Sequence, residues 1–214
     1  MACGFDSLSE QYLSTGSAPA TTYPITMACW RNLPDFGSLR TLMSLNANAG
    51  NNDHIRLVVM DGTGATNART VVAGPVGGES VSSAGTAAVW QHSAGRFTSS
   101  TNKQAFLNGV GGTIDTTDLT PTGINELLIG ARRFFGGSVG LYFDGSIAEA
   151  AIWSAALTDD EILSLAKGFT PDQIRPQSLV FYAPLIRELQ DLRGGLTITN
   201  NNGANVSNHP RVII

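Results

Sequence analysis

Residues 132–137 read Arg-Arg-Phe-Phe-Gly-Gly, two guanidiniums followed by two aromatic rings in a glycine-bounded loop. Aromatic faces stack on apolar surfaces and rings, and Trp, Tyr and Arg dominate the energetic centres of binding surfaces. Arg132, Arg133, Phe134 and Phe135 are therefore the candidate ligand-binding residues, for a sugar or a protein partner. The alternative tucks one phenylalanine into the core and leaves the arginines solvated, and spacing alone does not choose between the two. Catalysis finds less support. Glycoside hydrolysis needs two carboxylates flanking the scissile bond. In the strand-like stretch 140–153, period-two alternation puts Ile147, Glu149, Ala151 and Trp153 on one face, with a single carboxylate among them. Glu149 reads as a partly buried acid paired with backbone or an arginine, because an unpaired buried charge is costly. His54, His92 and His209 have no metal-ligand spacing with one another. His92 is expected to support a strand, and His54, next to Asp53, to lie at the surface. No Ser-His-Asp or Cys-His grouping can be argued, so no catalytic residue, metal or cofactor is assigned from the residues.

The composition narrows the partners. Charged residues make up 14% of the 214, against about 25% in an ordinary soluble domain, while hydrophobic residues reach 42%. A surface built from Ser, Thr, Asn, Gln and Gly suits sugars or close packing in an assembly. The net charge of −4 and a single adjacent basic pair, Arg132-Arg133, argue against nucleic acid, which requires concentrated positive charge. No apolar run approaches the roughly 20 residues that span a bilayer. The N-terminus lacks the basic and apolar regions of a secretory signal, so assembly in the cytoplasm is expected and the sequon Asn205-Val206-Ser207 carries no glycan. Cys3 and Cys29 then read as two free thiols, with a bridge open only if their strands pair.

Positioning these residues falls to many short strands. Residues 23–33 alternate with Ile25, Met27 and Cys29 on one face, and Pro24 stands where an opening proline is tolerated. Further strands are expected at 5–13, 39–46, 54–60, 89–97, 103–110, 125–131, 140–153, 178–186, 195–199 and 204–207, with short ones between 62 and 88. Asp61-Gly62 signals a hairpin turn. Thr158-Asp-Asp-Glu161 is a capping box at the start of a helix over 159–167 that Gly168 ends. Thr170-Pro171-Asp172-Gln173 can start one further turn. With no repeat and no linker, the chain reads as one all-β domain over 1–214.

Residues 141–168, LYFDGSIAEAAIWSAALTDDEILSLAKG, resemble the closing signature of laminin-G-like domains. Phe143, Gly145, Ile147, Glu149, Trp153, Ala156-Leu157 and the capped helix hold its places. Trp90-Gln91-His92-Ser93-Ala94-Gly95 is similar to that family's Trp-His-x-x-Ala-Gly strand, with Gln91 splitting the Trp-His pair. Phe106-Leu107-Asn108-Gly109 resembles its Tyr-x-Asp-Gly hairpin, and Ile129-Gly130 also agrees. The resemblance covers roughly 23–168 and implies a concanavalin A-like jelly-roll β-sandwich with one short helix near 159–167. Glucan-hydrolysing relatives carry Glu-x-Asp-x-Glu on one strand, which this chain lacks. Calcium, which such domains often bind, would draw on Asp53, Asp61, Asn46, Asn48, Asn51 and Asn52, although Asn-rich loops usually only form turns. The stretch from Leu179 looks like the strand that opens such a domain. Its place at the end implies a rearranged chain order, with 178–214 closing the sandwich or bridging to another subunit. Modules of this arrangement resemble those on tailed-phage virion proteins. The expected function is thus a non-enzymatic binding or assembly module of a bacteriophage virion, in capsid decoration or tail-associated. Its partners would be other virion proteins or itself, with host glycans as a further contact. The alternatives are a stand-alone carbohydrate-binding module and, less favoured, a polysaccharide-degrading enzyme.

Overall fold

Alternating strands bury one face each, and here they stack as two antiparallel sheets around a shared core. The computed structural model describes residues 2–48, 52–72, 76–186 and 189–212. In chain order the strands are β1 (Ala2–Phe5), β2 (Tyr12–Thr15), β3 (Ile25–Asn32), β4 (Arg40–Asn46), β5 (His54–Val59) and β6 (Thr66–Val72). Next come β7 (Val76–Val81), β8 (Gln91–Ser99), β9 (Asn102–Leu107), β10 (Val110–Gly111), β11 (Glu126–Ile129), β12 (Arg132–Arg133), β13 (Val139–Gly140) and β14 (Gly145–Trp153). Helix α1 (Asp159–Ala166) precedes β15 (Leu179–Ala183), β16 (Ile198–Asn201) and β17 (Asn205–Ser207). The eight-stranded sheet runs β10-β9-β8-β3-β14-β1-β17, with β15 also on β14, and the seven-stranded sheet runs β16-β2-β11-β4-β5-β6-β7. The jelly-roll sandwich expected from the sequence is the fold observed.

The main core lies between the sheets. Ile25, Met27, Cys29, Phe97, Ile147, Ile152 and Phe181 from one meet Leu13, Leu45, Ile55, Leu57, Leu127 and Ile129 from the other. Cys3 and Cys29 are buried there as free thiols, and burial pushes each up to about 12, which keeps them protonated and unreactive. A second apolar cluster covers the outside of the eight-stranded sheet, where Ile162 and Leu165 of α1 pack on Trp153, Phe106, Ala94 and Ala151. The helix starts as its capping box requires. Thr158 accepts from the Glu161 N–H, and the Glu161 carboxylate accepts from the Thr158 N–H. Thr170, by contrast, makes no side-chain cap on its 3-10 turn, because its hydroxyl donates to Asp172 instead.

Three expectations are corrected. The stretch 5–13 is not one edge strand but a corner. Asp6 accepts from Leu8 N–H and the Ser9 hydroxyl, turning the chain from β1 in one sheet to β2 in the other. The strand at 140–153 begins only at Gly145, because Phe143 leaves the ladder to insert into the core edge-on to Phe5, with ring centroids 6.2 Å apart. Within β14 the alternation breaks at Glu149. Its backbone takes φ 54° at a bulge between Ala148 and Ala151, so Ile147 and Ile152 face the inner core while Ala151 and Trp153 face α1. At the same point β14 changes partner on one edge, from β1 at Gly145–Ile147 to β15 at Ala150–Trp153. The C-terminal strands thus join both sheets within the chain, β16 on β2 and β17 on β1.

Candidate functional site

The seven-stranded sheet turns its apolar residues inward, so period two sends a polar row outward. On that outer face Arg56 of β5 stands opposite Ser44 of β4 and Arg69 of β6, while Arg69 stands opposite Glu79 of β7. His54 stands opposite Asn46. Residues 131–143 then cross this face. The carbonyl of Ala131 accepts from the Ser44 hydroxyl at 2.7 Å, and that of Leu141 accepts from Thr41 N–H at 3.0 Å. The tip of this segment is the Arg-Arg-Phe-Phe-Gly-Gly loop. Gly136 and Gly137 take φ of 80° and 90°, a backbone region glycine enters without strain, and this closes the turn tightly after Phe135.

The four residues singled out in the loop divide into distinct roles. Arg133 is spent on structure: its guanidinium forks onto both oxygens of Glu126 and donates to the Gly137 carbonyl at 2.6 Å. Arg132 turns the other way, with its guanidinium 3.8 Å from the ring centroid of Phe134, and donates to Nε2 of His54 at 3.1 Å. The His54 ring can accept there because its Nδ1 faces the Asn52 carbonyl at 2.8 Å, which takes the ring proton. Phe135 stands 74% exposed at the tip. Neither phenylalanine enters the core and neither arginine is merely solvated, so the alternative reading of this loop does not describe it.

Beneath the loop lie residues that the sequence reading missed. Arg56 is 3% exposed, and its Nε and Nη1 have no acceptor among the described residues. Burial first, then the charges of Arg132 and Arg69, push it down to about 9. Arg132 is pushed to about 10 by burial and by Arg69, and its Nε also lacks an acceptor. Arg69 reaches Glu79 at 3.3 Å through one nitrogen while its Nε has none. His54, expected at the surface, is fully buried in this cluster and pushed down to about 2 by burial, Arg56 and Arg132. A signal was present: arginines at the outward positions of His54-Ile-Arg-Leu-Val-Val and Thr66-Asn-Ala-Arg-Thr-Val-Val, two strands that carry no other charged residue besides the titratable His54. What hid it was the covering loop, which turns an outward face into a buried one.

The other carboxylate site lies on the opposite sheet. A cavity of about 360 Å³ is lined by Glu149, Thr170, Asp172, Tyr182 and His209, with apolar walls from Ile186 and Leu192. Glu149 is paired, though not with backbone carboxylate contacts or an arginine as expected. The Tyr182 hydroxyl donates to it at 2.6 Å and His209 Nε2 lies 2.9 Å away, not aligned as a hydrogen bond. The bulge explains the change of partner, since it aims the side chain at β15 and the C-terminal segment. Burial and the Glu149 charge push the Tyr182 phenol well up, so it stays the donor. Several of the loop residues considered for calcium are held by protein groups. Asp53 accepts from Thr122 N–H at 2.7 Å and its hydroxyl at 3.1 Å, Asn46 donates to Ser44, and Asn48 is held by Asn125. Asn51 lies outside the described residues, and among those described no group of three His, Cys, Asp or Glu gathers.

The model of the concanavalin A-like lectin/glucanases superfamily matches residues 7–163. The chain belongs to that superfamily. No curated protein matches this superfamily member in sequence. Among solved structures, a Bacteroides ovatus protein provisionally described as carbohydrate binding superposes with a TM-score of 0.70 at 18% identity, covering 100% of this chain. This chain spans 61% of that protein's length. The CBM40 of a Ruminococcus gnavus IT-sialidase, solved with α2,3-sialyllactose, gives 0.55 at 17% identity over 68% of this chain and 84% of its own. The enzymatically active domain of tailspike protein 2 from bacteriophage CBA120 gives 0.58 at 14% identity over 86% of this chain and 31% of its own. At these identities the likeness is one of fold alone.

Proposed function

We propose that this chain is a non-catalytic glycan-binding module that holds saccharide on the outer face of the seven-stranded sheet, at the 132–137 loop. The observation that carries the reading is Phe135, an exposed ring presented on a glycine-closed turn beside the Arg132–Phe134 stack. A large exposed aromatic contributes nothing to folding, and it supplies a stacking face for a sugar ring at little conformational cost. Phe135→Ala is expected to weaken binding of glycans identified on an array by about tenfold, with the melting temperature unchanged. Equal binding by the variant and the parent would move the site elsewhere.

Non-catalytic action is supported by β14, whose single carboxylate, Glu149, stands where glucan-hydrolysing relatives carry three on one strand. The wild-type chain is expected to release no reducing ends from polysaccharides, and Glu149→Gln to leave glycan binding intact. Because Asp172 lines the same cavity, the contrary result has a clear form: hydrolysis by the parent that Glu149→Gln abolishes.

A second reading places the module on a virion, as capsid decoration or a tail component, in contact with its own copies or other virion proteins. The low charged share, 14%, and the fold shared with a phage tailspike domain favour it. Co-sedimentation with assembled particles is the expected result, and a monodisperse monomer absent from particles would remove it.

A further inference from the structure

The arginines under the loop face one another without enough acceptors. Arg56 and Arg69 are directly opposite across the β5–β6 ladder, a like-charge pairing that repels. Glu79 pairs with Arg69 and Glu126 with Arg133, which leaves Arg56 and Arg132 without an ion-pair partner among the described residues. They sit on one face of a chain whose net charge is −4. Arg56 is the strongest element, being more than nine-tenths buried with Nε and Nη1 unpartnered among the described residues. Burying an unpaired guanidinium opposes folding, so the cluster has no stabilising purpose of its own. Guanidiniums carry donors only, in a planar fork that matches the oxygens of a carboxylate or sulfate. An acceptor is also left over: Oδ1 of Asn67, two residues before Arg69 on the same face, has no donor among the described residues. Anion oxygens at the partly exposed Arg69 and Arg132 would offset the positive charge of the whole cluster, Arg56 included.

We infer that the ligand of this face is an acidic saccharide whose carboxylate or sulfate docks at the partly exposed Arg69 and Arg132, drawn there also by the charge of Arg56 buried beside them. The inference rests on the reading of this face as the glycan site. A neutral sugar would leave the excess donors unmade, whereas an acidic one brings both the anion and the neighbouring hydroxyls.

The test compares wild-type chain and Arg56→Met, a change that keeps a long stem and removes the charge. Each is titrated calorimetrically with 3′-sialyllactose for a carboxylate, a sulfated chondroitin disaccharide for a sulfate, and lactose as the neutral control. Each is also melted in sodium sulfate and in sodium chloride of equal ionic strength. The expected result is that one acidic saccharide binds the parent about tenfold more tightly than lactose, and that Arg56→Met removes the preference. Sulfate should raise the melting temperature of the parent by more than that of the variant, the rise common to both being its general exclusion from protein surface. If lactose and the acidic sugars bind equally and Arg56→Met changes nothing, this inference is overturned while the glycan-binding reading stands. If no saccharide binds but sulfate stabilises the parent through Arg56, the anion site stands and the glycan reading falls. If neither sulfate nor any acidic sugar distinguishes parent from variant, the inference is overturned. Arg132→Gln, at a half-exposed position, repeats the comparison should Arg56→Met fail to fold.

Discussion

Lowering the pH from about 8 to about 4.5 is expected to remove about 5 kcal/mol of stability, a large part of what a single domain holds. The cause is two histidines folded in their neutral form. His54 lies under the arginine loop, pushed from 6.5 to about 2 by burial and by the charges of Arg56 and Arg132. His92 lies edge-on to Trp30 with ring centroids 5.5 Å apart, and burial pushes it from 6.5 to about 3. In the unfolded chain each ring takes up a proton near its ordinary value, while the folded rings stay neutral. Both values are depressed by folding, so the stabilisation is fully present above about pH 6.5 and declines as the pH falls toward the folded values. The slope is about 1.4 kcal/mol per pH unit for each ring. Carboxylates held low in the fold, such as Asp115, contribute only from about pH 5 downward, so the slope between about pH 6.5 and 5.5 belongs to the histidines. Urea unfolding midpoints across this range measure the slope, and His54→Gln or His92→Gln should each remove about half of it. A flat profile would mean that the rings are hydrated or charged in the native state.

Lys103→Met is expected to cost about 3–5 kcal/mol, the range for breaking a buried ion pair. Lys103 on β9 is wholly buried, and its ammonium donates to the carbonyls of Ser100 (2.7 Å) and Thr117 and meets Asp115 at 3.3 Å. The backbones of Lys103 and Asp115 also exchange both hydrogen bonds, at 3.1 and 2.9 Å, so the ammonium closes the 112–119 segment against β9. Burial acts to raise the Asp115 carboxyl, but hydrogen bonds from Thr117 and the Lys103 charge outweigh it and hold it below the usual carboxylate value. Methionine preserves the buried stem while leaving two carbonyls and a carboxylate without their donor. Adding Asp115→Asn should return part of the loss, because the uncompensated charge is then gone. Denaturant melts of the two single variants and the double variant measure this. A loss under about 1 kcal/mol for Lys103→Met would show the pair to be hydrated rather than sealed.

Local chemistry was legible wherever a few adjacent residues decide the outcome. Thr158 and Glu161 cap α1 because both partners lie within one turn, and the alternation of Ile25, Met27 and Cys29 picks the inner face because strand period is local. The order of motifs from Trp90 to Gly168 was likewise enough to place the chain in its superfamily. Glu149 marks where such reading stops. A bulge is set by two neighbouring strands that compete for one edge of β14, so alternation along β14 alone assigned its face and its partner wrongly.

The candidate site shows the same division. Arg132, Arg133, Phe134 and Phe135 drew notice as a cluster along the chain, and the sequence by itself determined that this loop carries two cations, two rings and a glycine turn. Which arginine is spent on Glu126, which stacks on Phe134, and that Arg56, Arg69 and His54 lie beneath them was decided only by the tertiary structure. The physical reason is that hydrogen bonds and desolvation act between atoms brought close by the fold. Arg56 and Arg132 are 76 residues apart in sequence, and Arg132 perturbs Arg56 only because the loop after β11 folds back across β5.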